Sequence, residues 1–153
     1  MKTLARERDA AEILRRLEAV RGDSARRWGR MSVHQMVCHL TDACRMLTGE
    51  RTMPPVATPL PKPMMRWIAL YLPMRWPPGI QTTPELDQTS GGGTPPIDFI
   101  ADVADLTARL RRIAVDPDCH FVAKHPVFGT MSRAAWYRWA YLHTDHHLRQ
   151  FGL

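Results

Sequence analysis

His143 and His147 stand four residues apart in a stretch with neither glycine nor proline. On a helix that spacing projects both imidazoles from one face, with Cβ atoms about 6 Å apart, close enough to share one divalent metal ion. The same spacing also fits two histidines that sit in a helix wall, hydrogen-bonded to their neighbours. Trp136, Trp139, Ala140, His143, His147 and Gln150 follow one another at helical steps, which puts the imidazoles on the side of the large aromatics, toward a core. Buried imidazoles without partners lose hydration, whereas a metal takes their lone pairs and leaves the other ring nitrogens for hydrogen-bond acceptors. His146 points about 60° away from His143 around the helix and reads as a spare or supporting group.

A metal site needs a third donor from another element. His39 follows Ser32 by seven residues, at the polar edge of an apolar stripe, and is the natural candidate. His34, in the first turn of the same segment, is the alternative, although that position favours solvent or the helix end. Cys38 points elsewhere around that helix. Cys119, His120 and His125 imitate a zinc cluster but lack a paired CxxC, so loop packing accounts for them better. Asp42 and Asp145 are near enough in sequence to orient ligands. Arg149 and Gln150 would contact an anionic substrate or hold the helix end.

These residues need helices to position them. Leu4, Ala11, Ile13, Leu14, Leu17 and Val20 recur with helical spacing and predict a first amphipathic helix over 4–20. Ser32 and Gln35 have the form of a capping box, and Val33, Met36, Leu40, Cys44 and Leu47 make an apolar stripe before Gly49, predicting a second helix over 33–48. Most of the prolines and the Gly91-Gly92-Gly93 run fall between Met53 and Pro96, the mark of a long crossover connection. Within it, Pro63 to Leu72 reads as a short extra helix that Trp67, Leu70, Tyr71 and Trp76 pack onto the bundle. A third long helix is expected from the cap Thr94 and the two following prolines to Asp116-Pro117, with Ile97, Ile100, Val103, Leu106, Leu110 and Ile113 on one side. An irregular passage follows, and the last helix runs from Ser132 to Gln150. The fold class is therefore all-α: a four-helix bundle whose long crossover follows the second helix, and bundles of this kind build metal sites between facing helices.

The 153 residues, 44% of them hydrophobic, suit one compact domain over 1–153. Three cysteines without CxxC pairing argue against a disulfide framework and for reduced thiols in a cytoplasm. The charged first twenty residues leave no apolar core for a secretory signal. The most apolar run, Met64 to Met74, is far below the roughly 20 residues that span a bilayer. A net charge of +6 comes from arginines scattered among acids, the pattern of a solvated surface and not of a nucleic-acid interface.

Ser32-Val33-His34-Gln35-Met36-Val37-Cys38-His39-Leu40, Trp76-Pro77-Pro78-Gly79, Gly93-Thr94-Pro95-Pro96, His125-Pro126-Val127-Phe128-Gly129 and His143-Thr144-Asp145-His146-His147-Leu148-Arg149-Gln150 together resemble the DinB-like superfamily. The nearest match is a branch catalogued as a domain of unknown function. The resemblance runs from about residue 30 to the end, and the closing HxxxH followed by Arg-Gln is its most specific part. It implies a four-helix bundle in which one histidine of helix two and the HxxxH of the last helix bind nickel or zinc and leave positions for water. Carried over residue by residue, those roles fall on His39, His143 and His147. The resemblance also implies a homodimer, and some better-known relatives use mycothiol, bacillithiol or glutathione as thiol-dependent transferases or isomerases.

Two functions compete. In the first, three neutral imidazoles leave a divalent ion Lewis acidic, and the protein is a metal-dependent hydrolase or thiol-dependent S-transferase acting on a small molecule, with a low-molecular-weight thiol as possible co-substrate. In the second it is a non-catalytic binding or stress-response module whose metal, where present, staples helices two and four. The absence of a committed nucleophile or general base beside the histidines keeps the second in play.

Overall fold

The computed structural model describes residues 1–80 and 82–153. Ser32 and Gln35 form the predicted capping box, the Ser32 hydroxyl accepting from the Gln35 N–H and the Gln35 side chain accepting from the Ser32 N–H. They start helix α2 (Val33–Thr48), which ends at Gly49 in the left-handed conformation. Ser132 caps α5 (Arg133–Gln150) by accepting from the Ala135 N–H. Around these lie α1 (Glu7–Glu18), the short α3 (Lys62–Tyr71) and α4 (Phe99–Val115). The crossover also holds two single 3-10 turns, Pro84–Leu86 and Gln88–Ser90. The passage read as irregular contains a minimal antiparallel hairpin, β1 (Lys124–His125) with β2 (Gly129–Thr130). The fold is all-α apart from that hairpin.

α2 packs chiefly on α4 and α5, and α1 packs on the same two helices. Ile13 and Leu17 of α1, Met36, Leu40 and Leu47 of α2, Leu106, Leu110 and Ile113 of α4, and Trp136 and Leu148 of α5 are sealed into one cluster. Each such aliphatic side chain contributes about 1.5–3 kcal/mol by leaving water, so the four long helices are held mainly by this shared core. Leu4 lies outside α1 yet is buried, its N–H donating to the Tyr137 carbonyl at 3.2 Å.

The third long helix starts later than its apolar spacing predicts. Asp98 is the cap, accepting from the Ile100 and Ala101 N–H groups, and Ile97 and Ile100 are 85% and 81% exposed instead of lining the core. Thr94 is drawn away from capping by the fully buried Asp42, which accepts from its N–H at 2.7 Å and its hydroxyl at 2.8 Å. Arg45 and Arg51 complete the charge balance at 3.2 and 3.3 Å from the same carboxylate. Gly93, beside this anchor, has φ +78°, and a Cβ there would meet the Gln88 amide at 2.3 Å and Asp42 at 2.8 Å. Asp42 thus pins the far end of the crossover to α2.

The crossover packs differently from expectation in one more respect. Leu70 is fully buried and Trp76 is partly covered, its indole N–H donating to the Ala69 carbonyl at 2.8 Å, but Trp67 and Tyr71 face solvent. Among the described residues no helix is long and apolar enough to cross a membrane.

Candidate metal centre

The caps set the phase of the two helices that carry the candidate donors. Seven residues beyond Ser32, His39 points from α2 into the interface with α5, and His143 and His147 occupy successive turns of α5 opposite it. One donor atom from each of the three lies within 4.8 Å of the others, a group that could hold a metal ion. The Nε2 atoms of His39 and His143 approach to 3.1 Å. Nitrogens bound to one ion at about 2.0–2.1 Å stand roughly 2.9–3.4 Å apart, depending on the angle between them, so this separation fits a shared ion. The ring centroids are 5.1 Å apart for His39 and His143, 4.7 Å for His39 and His147, and 4.8 Å for His143 and His147.

The outer nitrogens of two of these rings are already committed. His39 Nδ1–H donates to the backbone carbonyl of Leu86 at 3.0 Å, in the first 3-10 turn of the crossover. His147 Nδ1–H donates to Gln150 Oε1 at 3.0 Å, and the amide of Gln150 is oriented for this by its own Nε2 donating to the Trp28 carbonyl at 2.9 Å. Both hydrogen bonds fix the tautomer that turns an Nε2 lone pair inward, the arrangement that metal-binding imidazoles require. His143 stacks on Trp139 at 4.8 Å with 20° between the planes.

Burial pushes the acidity of all three imidazoles in one direction. It holds His39 below its ordinary pKa, and it holds His143 and His147 well below, the neighbouring imidazoles adding to the effect. The rings are neutral at physiological pH, which is the ligating form. His39 and His147 are buried and His143 is half-buried. Three imidazoles suit zinc, nickel, copper or iron.

The remaining sequence candidates fall in different places. Gln150 touches the cluster directly, as described. His146 is buried against it, 5.1 Å from His147 between centroids and 6.1 Å from both Trp28 and Trp76, and its Nδ1 has no hydrogen-bond partner. Asp42 makes no hydrogen bond to any of the three imidazoles and instead anchors Thr94. Asp145 accepts from Arg16 at 2.7 Å and from Arg149 at 2.9 Å, which ties Arg149 and Asp145 to α1 and the chain end. Leu86, Trp28 and Trp76 were missed as neighbours of the site, and only the Trp76-Pro77-Pro78-Gly79 motif hinted at one of them.

The alternatives to His39 also find definite places. His34 is half-buried, and its Nε2 lies 2.6 Å from Asp102 of α4, a partner that its place in the first turn of α2 does not announce. Cys38 points to the same carboxylate, 3.7 Å away. Cys119, His120 and His125 do not form a donor cluster: among the described residues the groups of three donors are His39 with His143 and His147, and His34 with Cys38 and Asp102. His125 instead accepts from the Val127 and Phe128 N–H groups at 3.1 and 3.3 Å, capping the hairpin. All three cysteines are free and buried.

No curated protein and no solved structure matches the chain. One family model does, and it covers residues 6–152, almost the whole sequence. On that match the chain belongs to the family described as protein of unknown function (DUF1569).

Proposed function

We propose that this protein is a metal-dependent enzyme of the DinB-like superfamily in which His39, His143 and His147 bind one divalent ion, nickel or zinc, with a coordination position left open. The observation that carries the reading is the orientation of the imidazoles. Leu86 and Gln150 hold the Nδ1–H groups of His39 and His147, which leaves their Nε2 atoms as the donors, and one donor atom from each of the three imidazoles lies within 4.8 Å of the others. Three protein donors are the ligand count of catalytic zinc centres, which keep a fourth position open, whereas structural centres close with four.

The bound ion would supply Lewis acidity at neutral pH, which serves hydrolysis or the activation of a thiol for S-transfer. The protein's own part is to keep the imidazoles neutral and pre-aimed and to wall the approach with Trp139, Trp76 and His146. A small-molecule substrate, a low-molecular-weight thiol as co-substrate, a homodimeric assembly and a cytoplasmic setting belong to the same reading.

One observation favours a non-catalytic alternative, in which the ion staples α2 to α5 within a binding or stress-response module. The carboxylates nearest in sequence, Asp42 and Asp145, are both consumed by arginine pairs, and neither stands beside the cluster as a general base.

Metal analysis of the purified protein beside its His143→Ala variant tests the ligand set, with a loss of about one equivalent expected in the variant. Unchanged metal content would refute it. Turnover of electrophiles by the metal-loaded protein with a panel of low-molecular-weight thiols separates enzyme from staple. Absence of metal-dependent turnover with every thiol, and of hydrolysis without one, selects the staple.

A further inference from the structure

α2 carries a second set of donors on the side facing α4. His34 and Cys38 are one helical turn apart, and Asp102 lies opposite them in the first turn of α4. One donor atom from each lies within 4.8 Å of the others, the same closeness that defines the histidine cluster. The chemistry of the set is distinct: one imidazole, one thiol and one carboxylate, each an established ligand type for zinc and for its analogues cobalt and cadmium.

We propose that His34, Cys38 and Asp102 form a second divalent-metal site, of mixed nitrogen, sulfur and oxygen donors, that ties α2 to α4. Three features favour it over an ordinary hydrogen-bond network. The distance from Cys38 Sγ to Asp102 Oδ2 is 3.7 Å, close to the separation of about 3.6 Å for sulfur and oxygen bound to one tetrahedral zinc. It is long for a strong hydrogen bond and leaves the thiol weakly held. The donors are also oriented in advance. The His34 ring stands edge-on to Phe99 at 5.3 Å and 89°, and the Ile97 N–H reaches the Asp102 carboxylate at 3.4 Å. Finally, the His34 and Asp102 side chains are 22% and 29% exposed while Cys38 is buried, so an ion can reach the outer two donors from solvent.

Binding has a definite balance. The ion takes the sulfur lone pair as the Cys38 S–H proton leaves to solvent, and it takes the His34 Nε2 lone pair. The contact between His34 Nε2 and Asp102, now 2.6 Å, opens to about 3.4 Å as both atoms become ligands. No redox partner or further reactant is involved.

Cobalt(II) is the probe, because a thiolate ligand gives it a near-ultraviolet charge-transfer band that imidazoles alone do not. Titration of the full-length protein should reveal that band, with one equivalent of metal beyond what the histidine cluster takes. The band should vanish in Cys38→Ser and persist in Cys44→Ser, Cys119→Ser and His143→Ala, the last losing one equivalent while keeping the colour. Asp102→Asn, which preserves side-chain shape, should keep the native circular dichroism and weaken the thiolate-linked equivalent at least tenfold. If the wild type shows no thiolate band, or if the band survives Cys38→Ser, the site does not exist. If His143→Ala keeps both the band and the full metal count, this site stands and the three-histidine assignment falls.

Discussion

His147 and Gln150, three residues apart on α5, are joined by a 3.0 Å hydrogen bond whose direction is set from outside the helix, because the amide of Gln150 is itself turned by the Trp28 carbonyl. A glutamine near a helix end would ordinarily be a solvated side chain. Here it is 3% exposed and chooses which nitrogen of His147 carries the proton.

Replacing Gln150 with leucine should therefore weaken metal binding by 10–100-fold, the usual effect of removing a partner that orients a ligating imidazole. Gln150→Glu should restore only part of the affinity, since its carboxylate accepts from Nδ1–H but turns a second oxygen toward the Trp28 carbonyl, to which Gln150 donates. Chelator competition on the folded variants measures both, and equal affinity in Gln150→Leu and wild type would refute the orienting role.

Stripping metal from the histidine cluster should lower thermal stability. An ion held at about 100 times its dissociation constant adds about 2.7 kcal/mol, which for a chain of this size is roughly 5–10 °C in Tm. The shift caused by chelator should shrink in His143→Ala. An identical shift in the variant would show that the metal responsible lies elsewhere.

Asp42→Asn should destabilise the fold by about 1–3 kcal/mol, because it removes the buried charge that Thr94, Arg45 and Arg51 contact, while both arginines stay partly exposed and Arg45 keeps Asp105. The end of the crossover should loosen with it, and amide exchange at Thr94 should rise relative to amides of α5. Urea denaturation and hydrogen exchange check the two parts. A loss below about 1 kcal/mol would mean that the arginines find other partners at no penalty.

His125 supplies a pH dependence separate from the metal cluster. Its Nδ1 accepts two backbone N–H groups of the hairpin, and burial, helped by the nearby Lys62, holds its pKa at about 3 instead of 6.5. The unfolded chain therefore binds a proton near pH 6.5 that the folded chain refuses until about pH 3, so stability is full above 6.5 and falls as the pH drops through that window. The slope from one such group approaches about 1.4 kcal/mol per pH unit. His125→Gln should lower stability at neutral pH but flatten the acid slope by close to one proton, as read from urea midpoints between about pH 6 and 4. An unchanged slope would place the proton uptake on other histidines.

The legibility of this protein in its sequence follows the range of the interactions. α2 and α5 were readable to the residue because Ser32, Gln35 and Ser132 act on N–H groups three residues away. The four-residue spacing of His143 and His147 was local in the same sense. The start of α4 was misread because Thr94 obeys Asp42, 52 residues distant, instead of the helix it precedes. The sequence offers solvent, the helix end or a ligand role for His34 because nothing near it announces Asp102, 68 residues on. Leu86 could not be found by side-chain chemistry at all, since it acts through its carbonyl oxygen.

That last contact shapes how the site can change over evolution or in the hands of an engineer. An apolar side chain of similar size at position 86, which is buried, preserves both its turn and the carbonyl that steers His39, so such a substitution is nearly silent for the metal cluster. A one-residue insertion or deletion between Tyr71 and Gly93 is not, because it moves the carbonyl away from the ring. For this protein the length of the crossover is a more stringent specification than its composition.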